Sequence, residues 1–306
     1  MAKPQYQEYS TEKPTILVRE KFGGANVYAR DAKSLLTKAS GFISGYDFTL
    51  NPYRGCQYGC SYCYAAAFSP NSKMRQDWGN WVIIKQNAAE ILEKDLASWD
   101  KKNPGKPPSI YMSSVTDPYQ PIESKEQLTR HLLEVMIEYR PVLVIQTRSP
   151  MVIRDIDLLQ RFKHLRINMS VPTGSEQVRK DFEPRSPSIK ARLNAVRALK
   201  QKIDPLKGYL PKLSITVTPL LPTTEEEQAV FMNQLEVADR VVIQEFHANH
   251  NRSLVAGTRQ EALALKQKYA WWYDNEQVNY LRFKEKLVSR LSGVEIKEGK
   301  EGFGYE

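Results

Sequence analysis

Between residues 41 and 246, short apolar runs alternate with stretches in which apolar residues recur every three or four positions. The runs predict strands over 48–50, 81–85, 110–114, 141–146, 165–171, 213–217 and 240–244. The spaced stretches predict helices over 88–99, 128–139, 155–162, 188–202 and 224–238. In the first of these, Ile91, Leu92, Leu96 and Trp99 fall on one face. Ser186 and Pro187 open the fourth as cap and first turn. Strands alternating with helices imply parallel βαβ units. About six such units close into a partial or full barrel, with chemistry at the C-terminal ends of the strands.

The flanks read differently. Residues 1–40 are polar and predict an N-terminal extension. Residues 247–306 predict a helical segment rich in aromatics (Tyr269, Trp271, Trp272, Tyr273) that packs on the barrel. The core is thereby set at 41–246. No run reaches the roughly 18–20 apolar residues a membrane helix needs, and residues 1–6 lack the apolar stretch of a signal peptide. The expectation is a cytoplasmic protein with no membrane partner.

Charge changes the picture more than composition does. With 306 residues, 41% hydrophobic and 26% charged, the chain is an ordinary globular one. Its net charge of +9 is concentrated: residues 140–212 hold 16 Lys and Arg against 6 Asp and Glu. Such a field favours an anionic partner, a nucleic acid or another anionic substrate. A set of solvated helix faces is the plainer reading of the same count, because much of the charge lies on the 188–202 helix.

The three cysteines of the chain all lie in one run, Cys56-Gln57-Tyr58-Gly59-Cys60-Ser61-Tyr62-Cys63. A structural zinc site takes four ligands, usually as two pairs, and no second pair exists here. Disulfides fit neither an odd cysteine count nor a reducing compartment. Three thiolates on one loop suit three irons of a [4Fe–4S] cluster. The fourth iron is then open to a small molecule.

Other candidate groups stand at predicted strand ends. Ser113, Thr116 and Asp117 belong to a turn-forming run that exposes backbone. Arg148 closes another strand and suits a carboxylate. Ser170 ends a third, with a hydroxyl in reach of a ribose. Each is at least as ordinary as a turn or surface pair when taken singly. His247 and His250 follow the last strand; positioning or surface roles suit them better than metal binding, since no carboxylate is near.

The cysteine spacing with Tyr62 before the last cysteine resembles the signature of radical S-adenosylmethionine (SAM) enzymes. Further runs narrow the likeness: Asn51-Pro52-Tyr53-Arg54-Gly55-Cys56, Thr116-Asp117-Pro118-Tyr119-Gln120-Pro121-Ile122-Glu123, Arg154-Asp155-Ile156-Asp157 and Glu183-Pro184-Arg185-Ser186-Pro187 resemble the spore photoproduct lyase-like branch over roughly residues 41–246. The resemblance implies an α/β fold, a partial (β/α)6 barrel, with Cys56, Cys60 and Cys63 as cluster ligands. It implies SAM as cofactor, with Tyr62, Ser113, Thr116, Asp117, Arg148 and Ser170 in contact positions. It also implies an external one-electron reductant of flavodoxin or ferredoxin type. The reaction implied is reductive cleavage of SAM to methionine and a 5′-deoxyadenosyl radical that abstracts hydrogen. The founding enzyme of the branch uses a further cysteine to return hydrogen, and this chain has none to spare. Repair of a nucleic-acid lesion and a non-catalytic Fe–S protein remain the rival readings.

Overall fold

A computed structural model describes residues 15–246 and 260–306. The strands in chain order are β1 (Ile16–Phe22), β2 (Ala25–Arg30), β3 (Leu36–Lys38), β4 (Phe48–Leu50), β5 (Tyr53–Arg54), β6 (Trp81–Lys85), β7 (Ser109–Met112), β8 (Val142–Thr147), β9 (Leu165–Ser170), β10 (Lys212–Val217), β11 (Arg240–Ile243) and β12 (Glu295–Glu298). The helices are α1 (Ser72–Gln76), α2 (Ala88–Lys102), α3 (Glu123–Glu126), α4 (Leu128–Tyr139), α5 (Ile156–Leu159), α6 (Glu176–Phe182), α7 (Ile189–Lys202), α8 (Glu225–Leu235), α9 (Gln260–Lys268), α10 (Ala270–Tyr273), α11 (Glu276–Arg290) and α12 (Gly299–Gly302).

Two sheets result. The larger runs β12-β11-β10-β9-β8-β7-β4-β3, and every neighbouring pair from β4 to β12 is parallel. It is the expected α/β barrel, open rather than closed, with antiparallel β3 at one edge. The smaller sheet runs β1-β2-β6-β5. The apolar run 81–85 therefore joins this second sheet, between β2 and β5, and is not a barrel strand. Residues 16–38, within the expected extension, supply β1, β2 and β3.

Two central barrel strands, β9 and β10, alternate apolar and polar residues even though both faces are buried. Leu165, Ile167 and Met169 of β9 and Leu213, Ile215 and Val217 of β10 join the core under the helices, with Leu92, Leu96, Leu132 and Leu133. The other face turns Arg166, Asn168, Ser170, Ser214 and Thr216 into the lumen. A parallel sheet is usually apolar on both faces, so a polar lumen marks space built for something other than core. Local signals fix the helix starts: the Ser188 side chain accepts from the Ala191 N–H, and Thr224 with Glu227 forms a capping box.

One end of the lumen is closed by the segment around α12. Arg166 donates to the Tyr305 carbonyl (2.8 Å) and Arg240 to the Gly304 carbonyl (2.8 Å), both from the N-terminal ends of their strands. The Tyr46 hydroxyl donates to the Phe303 carbonyl. Access to the lumen is thus left to the C-terminal strand ends. In the C-terminal part, Tyr269 and Tyr273 pack on Phe182 and Phe246, and Trp272 is buried. Trp271 is half exposed. β12, a polar Glu-Ile-Lys-Glu run, becomes a strand only because the β11 edge accepts it in parallel register.

Candidate functional site

The cysteine run follows β4 and β5 at the C-terminal mouth of the barrel. Gly55 holds the entry turn at φ +85°, and a Cβ there would sit 2.6 Å from the Trp81 ring. Only glycine fits both demands. Gln57 and Gln120 then lock the loop crosswise. The Gln57 N–H donates to Gln120 Oε1 (2.9 Å), and the Ile122 N–H donates to Gln57 Oε1 (2.7 Å). The Tyr58 hydroxyl donates to the Tyr119 carbonyl (3.0 Å), and the Ser61 N–H to the Phe182 carbonyl (2.9 Å).

The thiols are held in a dry setting. Cys56 and Cys60 are buried and Cys63 is partly exposed. Burial pushes the Cys56 thiol well above its ordinary range, helped by the Asp117 carboxylate and the other two thiols. Burial pushes Cys60 up to about 12, although Arg148 opposes it. A metal would reverse this preference, since a coordinated thiol is deprotonated outright. Among the described residues no three of His, Cys, Asp and Glu converge as they would around a single ion. A four-iron cluster asks for less convergence, one thiolate per iron.

Around the loop lies a buried ionic network. Glu183, fully buried, pairs with Arg192 (2.6 Å) and with Arg148, and accepts from the Tyr62 hydroxyl (2.5 Å). Arg148 also donates to the Cys60 sulfur (2.9 Å). Burial alone would raise the Glu183 carboxyl, but Arg148 and Arg192 more than offset it and hold it below the usual range.

The strand-end groups divide into three kinds. Asp117 is a clamp: it accepts from the Thr147 hydroxyl (2.8 Å) and from the backbone N–H groups of Tyr119 (2.9 Å) and Arg148 (2.8 Å). Thr116 donates to the Gly55 carbonyl (2.6 Å) and so anchors the cysteine loop. Arg148 and Tyr62 are engaged with Glu183. Ser113 is different. It is buried, adopts φ +73° just after β7, and its hydroxyl has no partner among the described residues. Ser170 is buried at the end of β9, where its carbonyl accepts from Arg192 (3.0 Å).

Arg192, and the role of Glu183 as the hub of this network, were not legible beforehand. Glu183 did stand in the Glu183-Pro184-Arg185 run before the long helix, which the resemblance also covers, but nothing in the sequence pairs it with Arg192. Asn168 was also missed. It is fully buried in the lumen wall beside Tyr111, and neither polar atom of its amide makes a well-formed hydrogen bond among the described residues. The Tyr111 hydroxyl donates to Gln146 (3.0 Å), and Gln146 donates to Thr216 (3.0 Å), beside it. Orphaned groups at Ser113 and Asn168, under a thiol-bearing loop, suit a polar ligand lying across the strand ends. The donor set therefore fits a thiolate-held cluster with a polar cofactor beside it. His247 and His250 lie outside the described residues.

Comparison with known proteins places these features in a family. The model of the radical SAM superfamily matches residues 50–234. An uncharacterized protein of Methanocaldococcus jannaschii is 36% identical over 180 residues, 59% of this chain and 62% of that one. A radical SAM Nα-GlyT isomerase of Pseudomonas phage M6 is 26% identical over 200 residues, 64% of this chain and 38% of that one. The chain thus spans less than two thirds of the length of these curated relatives. A spore photoproduct lyase variant solved with dinucleoside spore photoproduct superposes over 88% of this chain and 81% of its own, with a TM-score of 0.59 and 16% identity.

Proposed function

The chain belongs to the radical SAM superfamily, and we propose that it is a radical SAM enzyme acting on a substrate admitted at the C-terminal mouth of its barrel. Cys56, Cys60 and Cys63 would hold a [4Fe–4S] cluster, with SAM as the cofactor bound at the same mouth. When bound, the two would supply hydrogen-abstracting radical chemistry, through reductive cleavage of SAM to methionine and a 5′-deoxyadenosyl radical with one electron from an external reductant of flavodoxin or ferredoxin type. The observation that carries the reading is the joint occurrence of a rigidly locked three-cysteine loop and orphaned polar groups on the same mouth.

The chain's own residues have three tasks in this reading. Gln57, Gln120 and Thr116 fix the loop so that its thiols keep their spacing. Ser113, Asn168 and Ser170 offer hydrogen bonds to the cofactor or the substrate. The Tyr62, Phe182, Phe246 and Tyr273 rings shield one side from water.

The likeness to a lyase that binds a dinucleoside supports a nucleic-acid substrate as the second reading. Repair by that enzyme's route would need a thiol beyond the cluster, and the chain holds three cysteines in all. Hydrogen return must then come from another group or from the cofactor.

The test is anaerobic. Protein reconstituted with iron and sulfide is given SAM and dithionite, and 5′-deoxyadenosine is quantified against Cys60→Ala. Cluster-dependent product sustains the proposal. A full [4Fe–4S] complement in the Cys60→Ala protein would overturn the ligand assignment.

A further inference from the structure

In the reading above the cluster takes its electron from outside. Tunnelling falls off steeply with distance, so the carrier must seat where the cysteine loop comes nearest the surface. Of the three cysteines only Cys63 is partly exposed. The chain then runs outward, through a 3-10 turn over Tyr64–Phe68 and on to α1. Two rings of that turn face solvent: Tyr64 and Phe68 are each nearly half exposed and meet edge to face with centroids 6.4 Å apart. Both are held in place. The Tyr64 hydroxyl donates to the Ser114 carbonyl, and Arg54 Nε and Nη2 donate to the Phe68 carbonyl (3.2 and 3.1 Å).

α1 adds charge beside the rings. Its Met74 packs in the same apolar cluster as Cys63, and the Met74 carbonyl accepts from the Trp81 indole (2.6 Å). Lys73 and Arg75, on either side of Met74, are exposed. Residues 53–76 hold three cations, Arg54, Lys73 and Arg75, and no carboxylate. The next carboxylate, Asp77, accepts from the Asn80 amide (2.6 Å). On its other side Phe68 borders a cleft of about 540 Å³ between the small sheet and the cysteine loop. Arg30, Lys33, Arg54 and Lys85 line that cleft with one carboxylate, Asp31.

An aromatic centre with a charged rim is the anatomy of a docking interface, and electron-transfer encounters need only a small one. The cationic rim suits an acidic partner. Exposed rings at its centre suit a carrier that presents a planar aromatic edge, as a flavin does and an iron–sulfur carrier does not. We infer that Tyr64, Phe68, Lys73 and Arg75 form the docking surface for an acidic flavodoxin-type protein. This rests on the radical SAM reading and gives the reductant its seat. The step moves one electron: the anionic flavin hydroquinone is oxidised to its neutral semiquinone, the cluster is reduced from the 2+ to the 1+ state, and no proton moves.

Cluster-loaded protein is mixed anaerobically with fully reduced flavodoxin across a salt series, and the rise of the semiquinone band is followed. Lys73→Glu with Arg75→Glu is compared with Lys190→Glu with Lys202→Glu, an equal charge change on exposed α7. Iron and sulfide content and circular dichroism report whether each variant is intact, and dithionite must reduce all of them to the same extent. The α1 variant should be reduced about tenfold more slowly than wild type at low salt, with a flatter salt dependence, and the α7 variant should not. Phe68→Ala should slow the step without changing the salt slope. A further readout needs no cluster: carbodiimide should join Lys73 to a flavodoxin carboxylate, as mapped by mass spectrometry, and high salt should suppress the link. If no cluster assembles, that link decides alone. Protein that takes electrons from flavodoxin but leaves SAM intact would sink the radical SAM activity and keep the docking surface. The docking surface is overturned if dithionite reduces the wild type and flavodoxin does not. It is equally overturned if a [2Fe–2S] ferredoxin is the only protein donor, if the intact α1 variant keeps the wild-type rate, or if Lys73 forms no link.

Discussion

The arginine-rich middle of the chain and the cleft of the small sheet use the same residue types to opposite ends. In the middle, several cations are wholly or partly buried and paired with carboxylates: Arg148 and Arg192 on Glu183, Arg154 on Glu123 (2.6 Å) and Asp155 (2.8 Å), Arg179 on Glu176 (2.7 Å). Arg166 is spent on a carbonyl at the closed end of the lumen. In the cleft, cations crowd one another on adjacent strands. Charge density along a sequence therefore does not locate the field. What decides is where the fold puts each cation and what it sets beside it.

The hardest way to break the comparison is to remove the carboxylate that neutralises the middle. Glu183→Gln leaves Arg148 and Arg192 buried without their counter-charge. Breaking one partner of such a pair costs about 3–5 kcal/mol, and a urea melt should show a loss of that order. The same pair makes the wild type acid-sensitive. Glu183 is held below its ordinary pKa, so its stabilising contribution is present at neutral pH. It fades as the pH drops through and below the usual carboxylate range. Glu183→Gln should lack that part of the acid transition. An unchanged melting curve would mean that the network is not a structural unit.

The cleft should behave in the reverse sense. Lys85 has its pKa depressed to about 8 from 10.5. The folded protein thus holds fewer protons than the unfolded chain between those values, and stability rises with pH across that window. Below pH 8 the buried charge costs the fold its full amount, on the order of 3 kcal/mol from the shift and about 1.4 kcal/mol per unit. Lys85→Met, which keeps most of the stem, removes that cost. Its advantage over wild type should be largest near pH 7 and shrink toward pH 10. A lysine that destabilises when lost at pH 7 would contradict this account of the cleft.

The opposite signs explain what was legible in the sequence. The strand–helix alternation showed the barrel because each element buries an apolar face, and that pattern is local. The cysteine loop was legible because its three ligands sit within eight residues. The network was not, because Glu183, Arg148 and Tyr62 are brought together from three elements far apart in the chain. The roles of Thr116 and Asp117 were equally hidden. Their strand-end position was readable, but whether an oxygen faces a ligand or a neighbouring N–H depends on how the β7 and β8 loops cross. The second sheet escaped for a further reason: β6 reads as one more apolar run, and only its partners β2 and β5 exclude it from the barrel.

A third set of cations sharpens the comparison with the smallest effect. Lys190 and Lys202 lie exposed on α7, within the stretch of highest positive count. If sequence density ruled, substituting them would weaken binding of an anionic strand. If placement by the fold rules, they are solvated side chains on a helix whose buried face is already paired through Arg192. Lys190→Ala with Lys202→Ala should then shift stability by less than about 0.5 kcal/mol, as surface changes usually do. The salt dependence of strand binding should stay as in wild type. A flattened slope would place an anionic contact on the helix, and the middle of the chain would regain the role its composition suggests.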